Sequence, residues 1–341
     1  MDTAIRIIHC PLEEVGKHIP ANNGLFVVCD RNVRQAAGRI GARPDRILGI
    51  EATEQGKVLD TVLKIGRWLM EQGAGRDAFV LGIGGGITTD LVGFAASIYK
   101  RGVRFGFVPT TLLSQVDAAI GGKNGVNLDS YKNMLGVIRQ PEMTFICPEP
   151  LKSLPYGQVV SGAAELLKSF IIEDVDGGYG KAVRLLSDLR KTKDLGAFVK
   201  EAAPLISAAA EVKAGIAGRD PFETGERRLL NLGHTFAHAI EKRSGESISH
   251  GEAVAMGIIL AARLSERLGL AAAGLAEHLE ADFKACGLPT ACPFPTEELV
   301  AAMKKDKKAE GDFIHFVLPL EIGHVETRLL RPEDVNEMLG K

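Results

Sequence analysis

Residues 77–90, Asp77-Ala78-Phe79-Val80-Leu81-Gly82-Ile83-Gly84-Gly85-Gly86-Ile87-Thr88-Thr89-Asp90, decide the fold. An apolar run of strand character passes directly into Gly84-Gly85-Gly86, and a helix is predicted to open near Thr89-Asp90. Glycine lets a backbone come close to a bound pyrophosphate, and a helix N-terminus offers N–H donors to it. The turn departs from the GxGxxG pattern, so the generic dinucleotide fingerprint is absent. Its place after the third predicted strand of an open sheet is nevertheless where a switch-point nucleotide site lies.

Outward from this stretch, Gly24–Asp30 (GLFVVCD), Asp45–Glu51 (DRILGIE) and Arg104–Pro109 (RFGFVP) read as further strands. Between them Lys57–Gln72 carries Leu59, Val62, Leu63, Leu69 and Met70 at helical spacing. The alternation predicts, over residues 1–150, an α/β domain with a Rossmann-like, doubly wound parallel sheet. From Leu151 onward Ala, Leu, Glu and Lys dominate, and residues 151–341 read as a mostly α-helical second domain. One late hairpin is predicted, Phe313–Leu318 with His324–Arg328. Without a low-complexity linker, the two domains are expected to abut around a cleft.

Composition narrows the function classes. The chain has 341 residues, 41 basic and 43 acidic side chains and a formal charge of -2. No global field favours nucleic acid or a membrane surface, so an anionic ligand needs a local basic cluster. No run of about 18 apolar residues suggests a membrane span. Five scattered cysteines without a CxxC pair point to a reducing, cytoplasmic setting.

Three groups of residues carry chemistry. Lys123, Lys132 and Asn133 lie in or near the glycine-rich stretch Gly121–Gly125, read as a loop suited to a phosphate or carboxylate. Pro109-Thr110-Thr111 places two hydroxyls at a strand's carboxyl end. In Arg227–Glu241 (RRLLNLGHTFAHAIE), Arg227, Asn231, His234 and His238 are spaced four, three and four, which predicts one stripe on a helix otherwise apolar. Such a stripe suits a polar cavity. His234 and His238 form HxxxH without the glutamate of a metalloprotease HExxH motif. His250 opens the next predicted helix, and Glu165 lies in an apolar helix with Lys168 three residues on. One glutamate and two histidines make a catalytic zinc set with an open coordination position. Spacing alone leaves His238 and His250 open as the second imidazole. The remaining histidines read as structural or surface residues, and Met303–Lys308 as a solvated basic turn.

Together these blocks resemble the 3-dehydroquinate synthase family of sugar phosphate cyclases, from about Asp30 to Leu318. The resemblance rests on GGGITTD (84–90), RGVRF, VPTTLLSQVD, GGKNGVN and KNMLG within 101–136, GAAELLK (162–168), Arg227–Glu241, HGEAVAMG (250–257) and Asp306-Lys307-Lys308. Thr88-Thr89 and Thr53 depart from the family pattern. The resemblance implies Glu165, His234 and His250 as ligands of one divalent metal, zinc or cobalt, with His238 a non-ligand active-site histidine. It implies NAD contacts at Asp30, Asn32, Glu54, Lys57, Gly85, Gly86, Asp90, Thr110, Thr111, Lys123 and Lys132. It implies substrate contacts at Asp117, Lys123, Asn133, Lys168, Lys213, Arg227, Asn231, His238 and Lys307, with Arg101 reaching across a homodimer interface. The implied substrate is a phosphorylated seven-carbon keto acid of the shikimate pathway, cyclised through transient oxidation by NAD, with no nucleic acid or membrane partner. Two rivals share the architecture: other sugar phosphate cyclases, and metal-dependent alcohol dehydrogenases of the glycerol dehydrogenase type.

Overall fold

The structure, a computed structural model, describes residues 5–19, 24–129, 131–245, 247–306 and 313–340. The chain divides into two compact units, Met1–Leu154 with Lys213–Phe222, and Pro155–Val212 with Glu223–Lys341. The last part of the long helix Leu195–Arg219 therefore counts with the first unit.

In the first unit, six strands form one sheet: β1 (Ile7–His9), β2 (Leu25–Asp30), β3 (Ile47–Ile50), β4 (Phe79–Gly84), β5 (Arg104–Pro109) and β8 (Met143–Ile146). Every pairing is parallel, in the order β1-β8-β5-β4-β2-β3. The strands are apolar at successive positions because both faces are covered. Phe26, Val28 and Val80 pack on one side with Leu91 and Val92, while Val27, Cys29, Leu81 and Ile83 pack on the other with Ala37 and Phe145. Chain direction across the sheet reverses between β2 and β4, since β2 leads outward to β3 and β4 leads the other way to β5. The carboxyl ends flanking that reversal, Asp30 on β2 and Gly84 on β4, are where an open sheet binds ligands.

Two elements differ from expectation. Edge strand β1 precedes the others, so the glycine turn follows the fourth strand, not the third. The stretch read as a glycine-rich loop is a hairpin, β6 (Lys123–Leu128) paired with β7 (Tyr131–Ile138). A Cβ on Gly125 would lie 2.7 Å from the Leu135 carbonyl oxygen, so glycine here permits close strand pairing rather than a free loop.

The second unit is helical around Tyr156–Ile172 and His250–Arg267, both largely buried, with Gly178–Thr192, His234–Ser244 and Leu275–Cys286 beside them. Its hairpin, β9 (Ile314–Glu321) with β10 (His324–Leu330), lies where the sequence placed one.

Candidate active site

Glu165 sits mid-way along Tyr156–Ile172 and is 0% exposed. A carboxylate so placed needs cationic partners. Two close helix contacts bring them. Gly251, second residue of His250–Arg267, packs where a Cβ would collide with the Ser161 backbone, and its N–H donates to Ser161 Oγ at 3.3 Å. His250 is thereby held one turn from Glu165. Gly233, at φ 78°, immediately precedes His234, and a Cβ there would lie 2.7 Å from Ile258 Cγ1 and 3.0 Å from the Val254 oxygen. Only glycine meets both demands.

Glu165 Oε1 lies 3.6 Å from His234 Nε2 and 3.4 Å from His250 Nε2. Four ligands about 2.1 Å from a tetrahedral metal are about 3.4 Å apart, so the two edges from Glu165 to the imidazoles are already close to that spacing. The far ring nitrogens are pinned: His234 Nδ1 is 3.2 Å from the Leu232 carbonyl, and His250 Nδ1 is 3.6 Å from Glu241 Oε2. The Leu232 carbonyl fixes the His234 tautomer that leaves Nε2 free to ligate, and Glu241 stands beside the His250 ring to stabilise its charge. Lys168 forms an ion pair with Glu165 Oε2, yet neither carboxylate oxygen receives a hydrogen bond of ordinary geometry among the described residues. Such a carboxylate suits a cation.

The charges agree. Burial raises the Glu165 carboxyl, but Lys168, then His250 and His234, outweigh it and hold it well below the usual range. Burial and Lys168 depress His234 to about 3, with Glu165 opposing. Burial also depresses His250, but contacts with Glu165 and Glu241 overcome it and raise it to about 10.

The continuous stripe predicted from Arg227 to His238 is corrected. Arg227 and Asn231 lie on a 3₁₀ segment, Glu226–Asn231, and the α-helix begins anew at His234. The left-handed Gly233 breaks the run, so the four side chains do not share one straight helix. Arg227 is buried at 2%, Asn231 donates to Glu223 Oε1, and the exposed His238 ring lies edge-on to His234, centroids 5.7 Å apart. Of the two imidazoles that spacing left open, His250 joins Glu165 and His234, all three ligand atoms lying within 4.8 Å. Lys307 falls outside the described residues.

In the first unit, candidate residues gather at the carboxyl ends of β2 to β5. Asp30 ends β2 and accepts from the N–H of the exposed Asn32 at 2.9 Å. Beyond β3, Lys57 is buried and reaches Asp90 Oδ2 at 2.5 Å and Asn133 Oδ1 at 2.6 Å. Burial lifts Asp90 to about 6 while Lys57 opposes the rise. The glycine turn ends β4, where a Cβ on Gly85 would lie 3.0 Å from Thr111 Cγ2, and one on Gly86 would lie 3.0 Å from Ala118 Cβ. This is a cradle that side chains would fill. Past β5, Thr110 N–H donates to the Gly84 carbonyl at 2.9 Å, and Thr111 Oγ1 lies 2.8 Å from Ser114 Oγ. A π-turn, Ser114–Ala118, follows and carries Asp117, whose Oδ1 lies 2.5 Å from Lys213 Nζ. Lys123, Lys132 and Asn133 are exposed on the hairpin, and Arg101 lies in the turn after helix Gly86–Ile98 with φ 65°.

Residues 47–161 match the family model described as 3-dehydroquinate synthase N-terminal, and residues 162–309 match 3-dehydroquinate synthase C-terminal. The chain is 41% identical to the 3-dehydroquinate synthase of Pyrococcus abyssi over 84% of its own length and 82% of that protein. The chain belongs to the 3-dehydroquinate synthase family. Its similarity to the Thermococcus kodakarensis 3-dehydroquinate synthase is 42% identity, covering 87% of this chain and 80% of that one. A solved 2-epi-5-epi-valiolone synthase from Streptomyces hygroscopicus, with NAD+ and Zn2+ bound, superposes with a TM-score of 0.83 at 26% identity, covering 98% and 96% of the two chains. The 3-dehydroquinate synthase frame leaves three contributors that sequence reasoning passed over: Glu241, Glu223 and Asn127. Glu241 stands seven residues, two helical turns, after His234, a spacing that could have flagged it. Asn127 closes the GGKNGVN motif, but Glu223 carried no such signal.

Proposed function

We propose that the chain catalyses the reaction of its family, converting 3-deoxy-D-arabino-heptulosonate 7-phosphate to 3-dehydroquinate and phosphate. The observation that carries this reading is the Glu165, His234 and His250 triad at metal-ligand spacing in a chain 41% identical to a 3-dehydroquinate synthase. When bound, a zinc or cobalt ion would polarise a substrate hydroxyl, and NAD would take and return a hydride so that no net oxidation results.

The chain's own residues prepare for this. Glu165, His234 and His250 would hold the metal. The cramped turn at Gly85 and Gly86 supports NAD binding, with Asp30, Asn32, Glu54, Lys57, Asp90, Thr110, Thr111, Lys123 and Lys132 around the dinucleotide. Buried Arg227 offers a planar fork suited to the substrate carboxylate, and Lys213, whose ammonium Asp117 steadies, offers a second cation for it. Lys123, Asn133, Asn231 and His238 suit the phosphate, and Lys168 keeps Glu165 ionised while facing the substrate. A dehydrogenase that only moves hydride has no use for so many anion-binding groups.

The active form is a homodimer in this proposal. Ile98, Leu128, Tyr131, Met134 and Ile138 are large apolar side chains left exposed on or beside the hairpin, Tyr131 at 59%. An uncovered apolar edge of this kind invites pairing with a second copy, and Arg101 would then serve the partner's site. The five free cysteines suit the cytosol. The test offers the heptulosonate phosphate, glucose 6-phosphate and sedoheptulose 7-phosphate in parallel with NAD and zinc or cobalt. Product from the first alone is expected; turnover of only a sugar phosphate would assign the chain to another cyclase activity.

A further inference from the structure

Between the segments after β3 and on β7 lies a buried amide, the last residue of the GGKNGVN motif, to which the resemblance assigns no role. Asn127, near the end of β6, is 9% exposed. Its Nδ2 donates to Glu54 Oε1 at 2.7 Å, and its Oδ1 accepts from the Asn133 backbone N–H at 2.9 Å. Asn133 is held at φ 54°, and its own side chain accepts from Lys57 at 2.6 Å. One side chain thus ties together the two segments that carry Glu54, Lys57 and Asn133.

Two features separate this side chain from ordinary packing. The strand-like bridge at this point is made by the backbone, with Asn127 N–H donating to the Lys57 carbonyl at 2.8 Å, so the bridge does not need the amide. And Glu54, half-buried, uses only Oε1 in this network, its other oxygen having no hydrogen-bond partner among the described residues. A carboxylate fixed by one oxygen and open at the other is an acceptor prepared for hydroxyl groups, as acidic residues of dinucleotide sites are for ribose.

We infer that Asn127 is a positioning residue of the NAD site, acting through Glu54, which it orients so that its open oxygen meets a ribose hydroxyl. The inference rests on the assignment of Glu54 to NAD made above. Only an amide serves here, donating at one end and accepting at the other. Leucine would leave both partners unmet, and aspartate would keep the Asn133 acceptor while turning an oxygen on Glu54.

The experiment is a double-mutant cycle on the full chain, reading NAD affinity by calorimetry, metal content and thermal unfolding. Asn127→Leu and Asn127→Asp should each weaken NAD about tenfold or more, the scale of one lost hydrogen bond to a charged group. Metal content should stay at the wild-type level. Asn127→Leu combined with Glu54→Gln should bind NAD no more weakly than Glu54→Gln alone, a coupling that a merely structural role would not produce. Asn127→Asp, which preserves the acceptor and the shape, keeps the test valid if the leucine variant does not fold. Wild-type NAD affinity in the aspartate variant, or additive losses in the cycle, would overturn the inference while Glu54 stands. Unchanged NAD affinity in Glu54→Gln would overturn the assignment of Glu54, and this inference with it.

Discussion

Arg227 tests how the cationic residues divide their work. It is buried in the same unit as the triad, yet a guanidinium stays protonated, cannot coordinate a metal and suits an anion. Arg227→Ala should lower kcat/KM on the order of 100-fold or more, the usual scale for deleting one partner of a buried charge pair. Its metal content should match wild type by elemental analysis; a stripped metal would mean that Arg227 belongs to the metal shell. Asp90 offers a pH signature. Its folded carboxyl titrates at about 6 against an ordinary 3.8, so the folded state binds the proton more tightly than the unfolded state does. Its contribution is therefore stability that falls as pH rises between those values. Asp90→Asn should lack that fall, although stranding Lys57 makes it less stable throughout. Urea denaturation across that range reads the difference, and parallel slopes in the two proteins would refute it.

At the scale of elements, the decisive joint is the turn between the 3₁₀ segment Glu226–Asn231 and the helix His234–Ser244. Gly233→Ala adds left-handed strain and an overlap with Ile258, together costing roughly 3 kcal/mol. The variant should melt lower and bind metal poorly, because His234 is the next residue. A variant with wild-type metal affinity would show that the joint does not set the ligand. This joint was hidden in the sequence. Arg227, Asn231, His234 and His238 keep helical spacing straight through Gly233, and the break becomes visible only when Ile258 packs against it. The hairpin β6–β7 was hidden for the opposite reason. Its Gly, Asn and Lys residues read as loop, and strand pairing there depends on Gly125 closing on Leu135. Strands β2, β4 and β5 were legible because burial on both faces leaves unbroken apolar runs. Edge strand β1 and its neighbour β8, three and four residues long, give no comparable signal. The choice between His238 and His250 was likewise tertiary, since two helices must meet before a distance exists.

At the scale of the whole molecule, the proposed dimer rests on the apolar side chains exposed on the hairpin. Met134→Asp should weaken the dimer by at least about tenfold in sedimentation equilibrium, because a charge would be desolvated at the interface. Activity should fall with dissociation as Arg101 is withdrawn from the partner; a fully active monomer would contradict the shared site. The family and its reaction class were legible from motifs spread over nearly the whole chain, and the 41% identity over 84% of it accords with them. The account stands or falls on the balance of hydride against phosphate. With metal-loaded protein, substoichiometric NAD and excess heptulosonate phosphate, we expect phosphate and 3-dehydroquinate in equal amounts, many turnovers per NAD, and no accumulating NADH. NADH rising in step with substrate consumed, or phosphate release that stops after one equivalent of NAD, would contradict it.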